Sequence, residues 1–209
     1  MAALRTPPGR AGRLRLRHSL DVAVRGAGLL DRKLSILRAR HEELLRVEQE
    51  TGEVWRQRIG QAETWLLRGL LLGGQEALSA AVPEAPAELR ITWTSTMGVR
   101  HPASAVCVVP PLQDSSSVPG NTALIHARAA YATAVRAAAE HAVARAAAET
   151  VGAEVRATRQ RVRALRRHWI PRLEAALART ELALEQGEHE DAVRRRWSAA
   201  AARTPGEGR

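Results

Sequence analysis

The chain has 209 residues, 45% of them hydrophobic but only 3% aromatic, with no Phe, one Tyr and five Trp. This length fits one domain or one elongated protein and excludes a multidomain assembly. The apolar fraction is mostly Ala, Leu and Val, poor material for a bulky globular core but well suited to long helices packed side by side. Lys+Arg is 32 against Asp+Glu 22, a formal charge of +10, and Lys33 is the only lysine.

Cys107 stands alone, which excludes a disulfide framework and a cysteine-based metal site. Met1 to Arg17 holds five arginines and no apolar h-region, so no secretory signal is expected there. No apolar run approaches the roughly 18–20 residues of a membrane span; the best, Trp65 to Gly74, is short and contains Arg68. The expected setting is a soluble, cytoplasmic one.

From Gly12 to Ala80 there is no proline. Leu20, Ala27 and Leu34 take one position of a seven-residue lattice, and Ala23, Leu30, Leu37 and Leu44 the other, the pattern of a coiled-coil seam. His41, Glu48 and Arg58 are poor core residues on that lattice. The reading is therefore one helix with a phase slip near His41 to Thr51, or two segments, with Leu45, Trp55, Ile59, Ala62 and Leu66 carrying the stripe onward. Some 65 residues of helix would span roughly 100 Å, with Gly69, Gly73 and Gly74 fraying its end.

Residues 82–122 hold six of the ten prolines. Arg90 to Thr94 alternates apolar and polar, and Ala105 to Val109 is apolar and rich in β-branched residues. With Gly98 to Pro102 as the turn, they predict a β-hairpin. Gln113 to Asn121 reads as a polar loop.

From Thr122 to Ala202 the only proline is Pro171, and 13 of the 22 residues from Ala127 to Ala148 are alanine. Val155, Val162, Leu165, Trp169, Leu173, Leu177 and Leu184 form a helical stripe. Pro171 removes one backbone hydrogen bond and is expected to bend the helix. Two such amphipathic helices bury their stripes against each other most economically as an antiparallel pair. The predicted fold is all-α: a long antiparallel two-helix coiled coil with a small central β-hairpin insertion. Its parts are residues 1–80, 81–121 and 122–203, with a disordered tail over 204–209. The expected coiled-coil core includes Leu20, Leu30, Leu34, Leu37, Val162, Leu165, Trp169 and Leu173.

Chemistry-bearing motifs are missing. No Gly-rich turn ends in Gly-Lys-Ser/Thr, so no nucleotide is held by a P-loop. His18, His41, His101, His126, His141, His168 and His189 show no His-x-x-x-His spacing, and no serine sits in a Gly-x-Ser-x-Gly elbow. No cofactor, metal or catalytic residue is expected. Glu181, Glu185, Glu188, Glu190 and Asp191 read as a solvated face. Two clusters of arginine remain. Arg5, Arg10, Arg13, Arg15 and Arg17 precede the first acid, Asp21. Arg156, Arg159, Arg161, Arg163, Arg166, Arg167 and Arg172 lie between Glu154 and Glu174. An antiparallel pair would bring the clusters to one end. That end is a solvated surface of arginine-rich composition, a positive tip inside an acidic protein sleeve, or a nucleic-acid binder. The last would ordinarily interleave aromatics or carry a groove-reading motif, and neither is present.

Two blocks resemble a known family. Pro8-Gly9-Arg10 through Leu14, Leu20, Ala23, Gly26 and Leu29-Leu30 to Lys33 and Leu37 resembles the N-terminal signature of the D subunits of V-type ATP synthases/ATPases. Arg161-Val162-Arg163-Ala164-Leu165, followed by Ile170-Pro171-Arg172-Leu173-Glu174, is similar to that family's Arg-Val-Asn-Ala-Leu and Ile-Pro-Arg-Leu-Glu block. Arg163 stands for the usual Asn. The resemblance implies a non-catalytic central-stalk rotor shaft of a proton- or sodium-translocating complex, cytoplasmic and peripheral to the membrane. The implied partners are the A and B subunits of a catalytic hexamer, the small F subunit of the central stalk and a protein capping the membrane ring, with no nucleic acid. Arg10, Arg13, Arg161, Arg163, Arg166, Arg167 and Arg172 would form its hexamer-facing basic cluster. Two other classes are open: the coiled-coil stalk of an export ATPase, against which the hairpin and the Ile-Pro block argue, and a basic helical protein that coats nucleic acid.

Overall fold

A computed structural model describes residues 9–80, 86–110 and 121–201. The elements in chain order are α1 (Arg10–Ala80), β1 (Glu88–Thr96), β2 (Val99–Val108), α2 (Thr122–Ala164), a π-helical turn (Leu165–Trp169) and α3 (Ile170–Ala201). The fold is an antiparallel two-helix coiled coil with a two-stranded hairpin inserted between its helices. The expected tail over 204–209 and the loop from Gln113 through residue 120 lie outside the described residues.

One of the two lines of the seven-residue lattice of α1 runs through His41 to Thr51 without a slip. Leu20, Ala27, Leu34, His41, Glu48, Trp55, Ala62 and Gly69 are all buried or half-buried, while Leu45 is exposed. The other line moves on by one residue after Leu44, as the expected phase slip has it: Arg58 is exposed, while Gly52 is buried and Ile59 and Leu66 are half-buried. His41 stays on the seam because Gly152 of the opposite helix makes room for it, as described below. Gly69 does not fray α1 either. It is buried, and a Cβ there would lie 2.5 Å from Leu124 Cδ2, so glycine is what allows the backbones to approach. The helical run breaks at Gly74, whose φ of 68° and ψ of −173° lie outside helical space.

The chain divides into two compact units. The first comprises Met1–Arg32 and Thr158–Arg209. In it Leu16 and Ala23 of α1 pack on Leu173 and Ala176 of α3, with Leu20, Ile170 and Leu177 at the margins. Burying a leucine such as Leu16 or Leu173, each 1% exposed, contributes about 1.5–3 kcal/mol. Arg10–Glu188 (3.0 Å), Arg17–Glu181 (2.5 Å) and Asp31–Arg166 cross between the helices in descending order, as antiparallel pairing requires.

The second unit is Lys33–Ala157. Its core joins Leu37 and Leu44 to Ala147, Ala148 and Val151, with Val99 and Val155 packed against it. The small side chains of α2 let the helices close together. Lys33 pairs with Glu154 at 3.3 Å, each about a quarter exposed. Asn121 begins α2: its Oδ1 accepts the Leu124 backbone N–H at 3.0 Å, an N-cap.

The hairpin is longer than its two apolar runs predict. Its turn is Met97–Gly98, with φ of 51° and 80°, the two positive values of a type I′ turn. Gly98 to Pro102 is therefore not the turn, and Val99 to Pro102 belong to β2. Thr92 pairs with Ser104 and Trp93 with Pro102, so Ala103 is the extra residue of a bulge. Pro102 cannot donate to a ladder, and a bulge is where a strand accepts it.

Candidate functional site

The first unit gathers most of the residues singled out for function. Between Thr158 and Leu165 the buried positions follow the seven-residue lattice through Val162. Continued unchanged, that lattice would put Trp169 and Arg172 in the seam. The π turn adds one residue: the Ile170 N–H bonds to the Leu165 carbonyl, five residues back. Pro171, which has no N–H and crowds the preceding turn, follows directly. The seam beyond it is then Ile170, Leu173, Leu177 and Thr180.

The expected core residues divide accordingly. Leu34, Leu37, Val162 and Leu173 are buried, and Leu20, Leu30 and Leu165 are half-buried. Trp169 is not a core residue: it is 41% exposed. The inserted residue turns its side chain out of the seam, where it becomes a wall of two open clefts. One, of about 490 Å³, lies between Leu30, Leu165 and Trp169, with Arg161, His168 and Arg172 around it. The other, of about 430 Å³, lies on the side of His18, Ser19, Val22 and Gly26, and shares Leu165 and Trp169. The shift in the apolar stripe between Val162 and Leu173 was a signal of this rearrangement.

The arginines are not one undivided positive surface. Arg10 and Arg166 are both engaged by acids of the opposite helix, Glu188 and Asp31. Glu181 and Glu188 thus do more than face solvent. Arg163, Arg167 and Arg172 are exposed, as is Arg161. Arg13 is half-buried, and its Nε is shielded from solvent without a hydrogen-bond partner among the described residues. In the second unit, the hydrogen bond and charge of Glu149 raise the Arg145 pKa above its ordinary value. Among the described residues no group of three or more His, Cys, Asp or Glu side chains is placed to hold a metal ion, and no helix is long and apolar enough to cross a membrane.

The class defined by these features is a two-helix coiled coil with an inserted hairpin and an arginine-rich, cleft-bearing unit that contains the N-terminal part of α1 and all of α3. The model of the ATP synthase D subunit family matches residues 13–200, and the chain belongs to that family. It is 30% identical over 208 residues to the V-type ATP synthase D subunit of Anaeromyxobacter sp. (strain Fw109-5), with 91% of each chain covered.

Proposed function

We propose that this chain is the central-stalk component of a V-type rotary ATP synthase/ATPase. It transmits torque between a catalytic hexamer of A and B subunits and the membrane ring that moves H⁺ or Na⁺. The observation that carries this reading is the family match over residues 13–200, on a chain whose helices pair antiparallel in both units. The shaft itself is non-catalytic and binds no cofactor. It is held at the cytoplasmic side of the membrane through its complex.

The basic cluster, with Arg13, Arg161, Arg163, Arg167 and Arg172 at its centre, faces the hexamer. It acts there by long-range attraction to acidic surface more than by shape-specific contact. Pro171 and the π turn before it interrupt the regular helix and make the shaft asymmetric, so that three hexamer sites meet three different faces. The small F subunit and the protein capping the ring cover apolar surface of the second unit. Leu71 and Leu72 are 87% and 72% exposed, and the hairpin leaves Leu89, Trp93 and Val106 in solvent; apolar surface of this kind is where protein partners dock.

The test is purification of the tagged chain from its host in mild detergent, with its partners identified by mass. Recovery of two large nucleotide-binding proteins with small stalk proteins is expected. Recovery of nucleic acid, or of no ATPase component, overturns the reading.

A further inference from the structure

Two histidines of the second unit sit over glycines of the opposite helix, and the two contacts mirror each other. His41 of α1 lies over Gly152 of α2: a Cβ at Gly152 would be 2.5 Å from His41 Nε2 and 3.0 Å from its Cδ2. His141 of α2 lies over Gly52 of α1: a Cβ there would be 3.1 Å from His141 Cε1 and 3.3 Å from Nδ1. Both glycines are buried and both histidines half-buried. Within each helix the histidine and the glycine are 11 residues apart, three turns, so they share a face.

The His141 ring is held on several sides. Its Nδ1–H donates to the Glu48 carbonyl at 3.2 Å, and the Thr51 hydroxyl lies 3.5 Å from the same nitrogen. Its face stacks on Trp55 at 5.6 Å between centroids, with 14° between the planes.

We propose that these two histidine–glycine sockets fix the register of the coiled coil. The rest of the seam specifies it weakly. On α2 the buried positions include Ala134, Ala137, Ala144, Ala147 and Ala148, and one alanine layer meets a facing leucine much as the next one does. A slide of one heptad would keep apolar residues on the seam while bringing His41 opposite Arg145 or Arg159 and removing its socket. It would also carry His141 from Gly52 to Leu45 or Ile59. Both rings would then meet side chains where they now meet bare backbone. A polar residue on a seam is a known means of specifying register at some expense in stability. Here the sockets would prevent axial slip of one helix against the other, whatever partner the coiled coil serves.

The experiment is a pulsed-EPR distance measurement on the full chain carrying Cys107→Ser, with spin labels at Gln49→Cys and Ala146→Cys, both exposed positions. The parent should give one narrow distance. Gly52→Ala and Gly152→Ala should each add a displaced distance, with a one-heptad slip moving the labels by roughly 10 Å, or lower the melting temperature. His141→Ala added to Gly52→Ala, and His41→Ala added to Gly152→Ala, each remove the clash and leave the other socket intact, so each should restore the single parent distance. A mid-helix glycine without such a role is ordinarily stabilised by alanine. Glycine variants that keep the parent distance and melt at or above the parent temperature would overturn the proposal. So would paired variants that remain displaced. The readout involves no ATPase, so its failure is separate from failure of the rotor reading.

Discussion

Asn121 ties the two helices together where α2 begins. Its Nδ2 donates to the Gly69 carbonyl of α1 at 3.0 Å, while its Oδ1 accepts the Leu124 N–H at 3.0 Å. One side chain both caps a helix and crosses to its partner. Asn121→Ala should cost about 1–2 kcal/mol. The expected result is a lower melting temperature, with faster hydrogen exchange confined to the start of α2. Uniform loss of protection along the chain would contradict this.

Lys33, the only lysine, pairs with Glu154 at a half-buried position. A double-mutant cycle of Lys33→Met and Glu154→Gln should give a coupling of about 1 kcal/mol, more than the exposed Arg10–Glu188 pair provides. The chemical-denaturation midpoints of the four proteins measure it.

The π turn adds one residue to the lattice, so removing one should return the helix to a continuous α-helical seam. Deletion of Arg167 is expected to keep the fold, with stability within about 1 kcal/mol of the parent. Deletion of Ala157, before the turn, should cost more than about 3 kcal/mol by putting the following seam residues on the wrong face. Circular dichroism and thermal unfolding distinguish the two.

His101 is fully buried in the hairpin. Its Nδ1–H donates to the Pro102 carbonyl at 3.0 Å, and its Nε2 accepts the Thr96 hydroxyl at 3.1 Å. His101→Ala should lower hairpin stability by about 1–2 kcal/mol. This should be read as lost amide protection across β1 and β2 while the helical signal is kept.

Pro171→Ala restores a backbone donor directly after the π turn. The expected outcome is a straighter helix of equal or greater stability, with impaired ATP-driven ion pumping in a reconstituted complex. Unchanged pumping would separate the π turn from coupling.

Much of the architecture was legible before any coordinates. The heptads from Leu20 to Leu44, the proline-rich interruption and the apolar stripe around Val162 to Leu173 are local patterns, and helical and strand periodicity is a local property of the chain. The readings that failed did so where one helix had to be judged without the other. His41 was a poor seam residue until the opposing backbone was known: Gly152 makes room for it. Trp169 was a plausible core residue until one extra residue in a π turn rotated it outward. The Arg166 guanidinium had no acid near it in sequence, yet Asp31 lies 135 positions away and within reach. Helix type, stripe and charge clusters follow from spacing alone. Which side chains meet depends on the register between helices joined through a hairpin, and only the folded pair, in which each residue is packed by a neighbour distant in sequence, decides that.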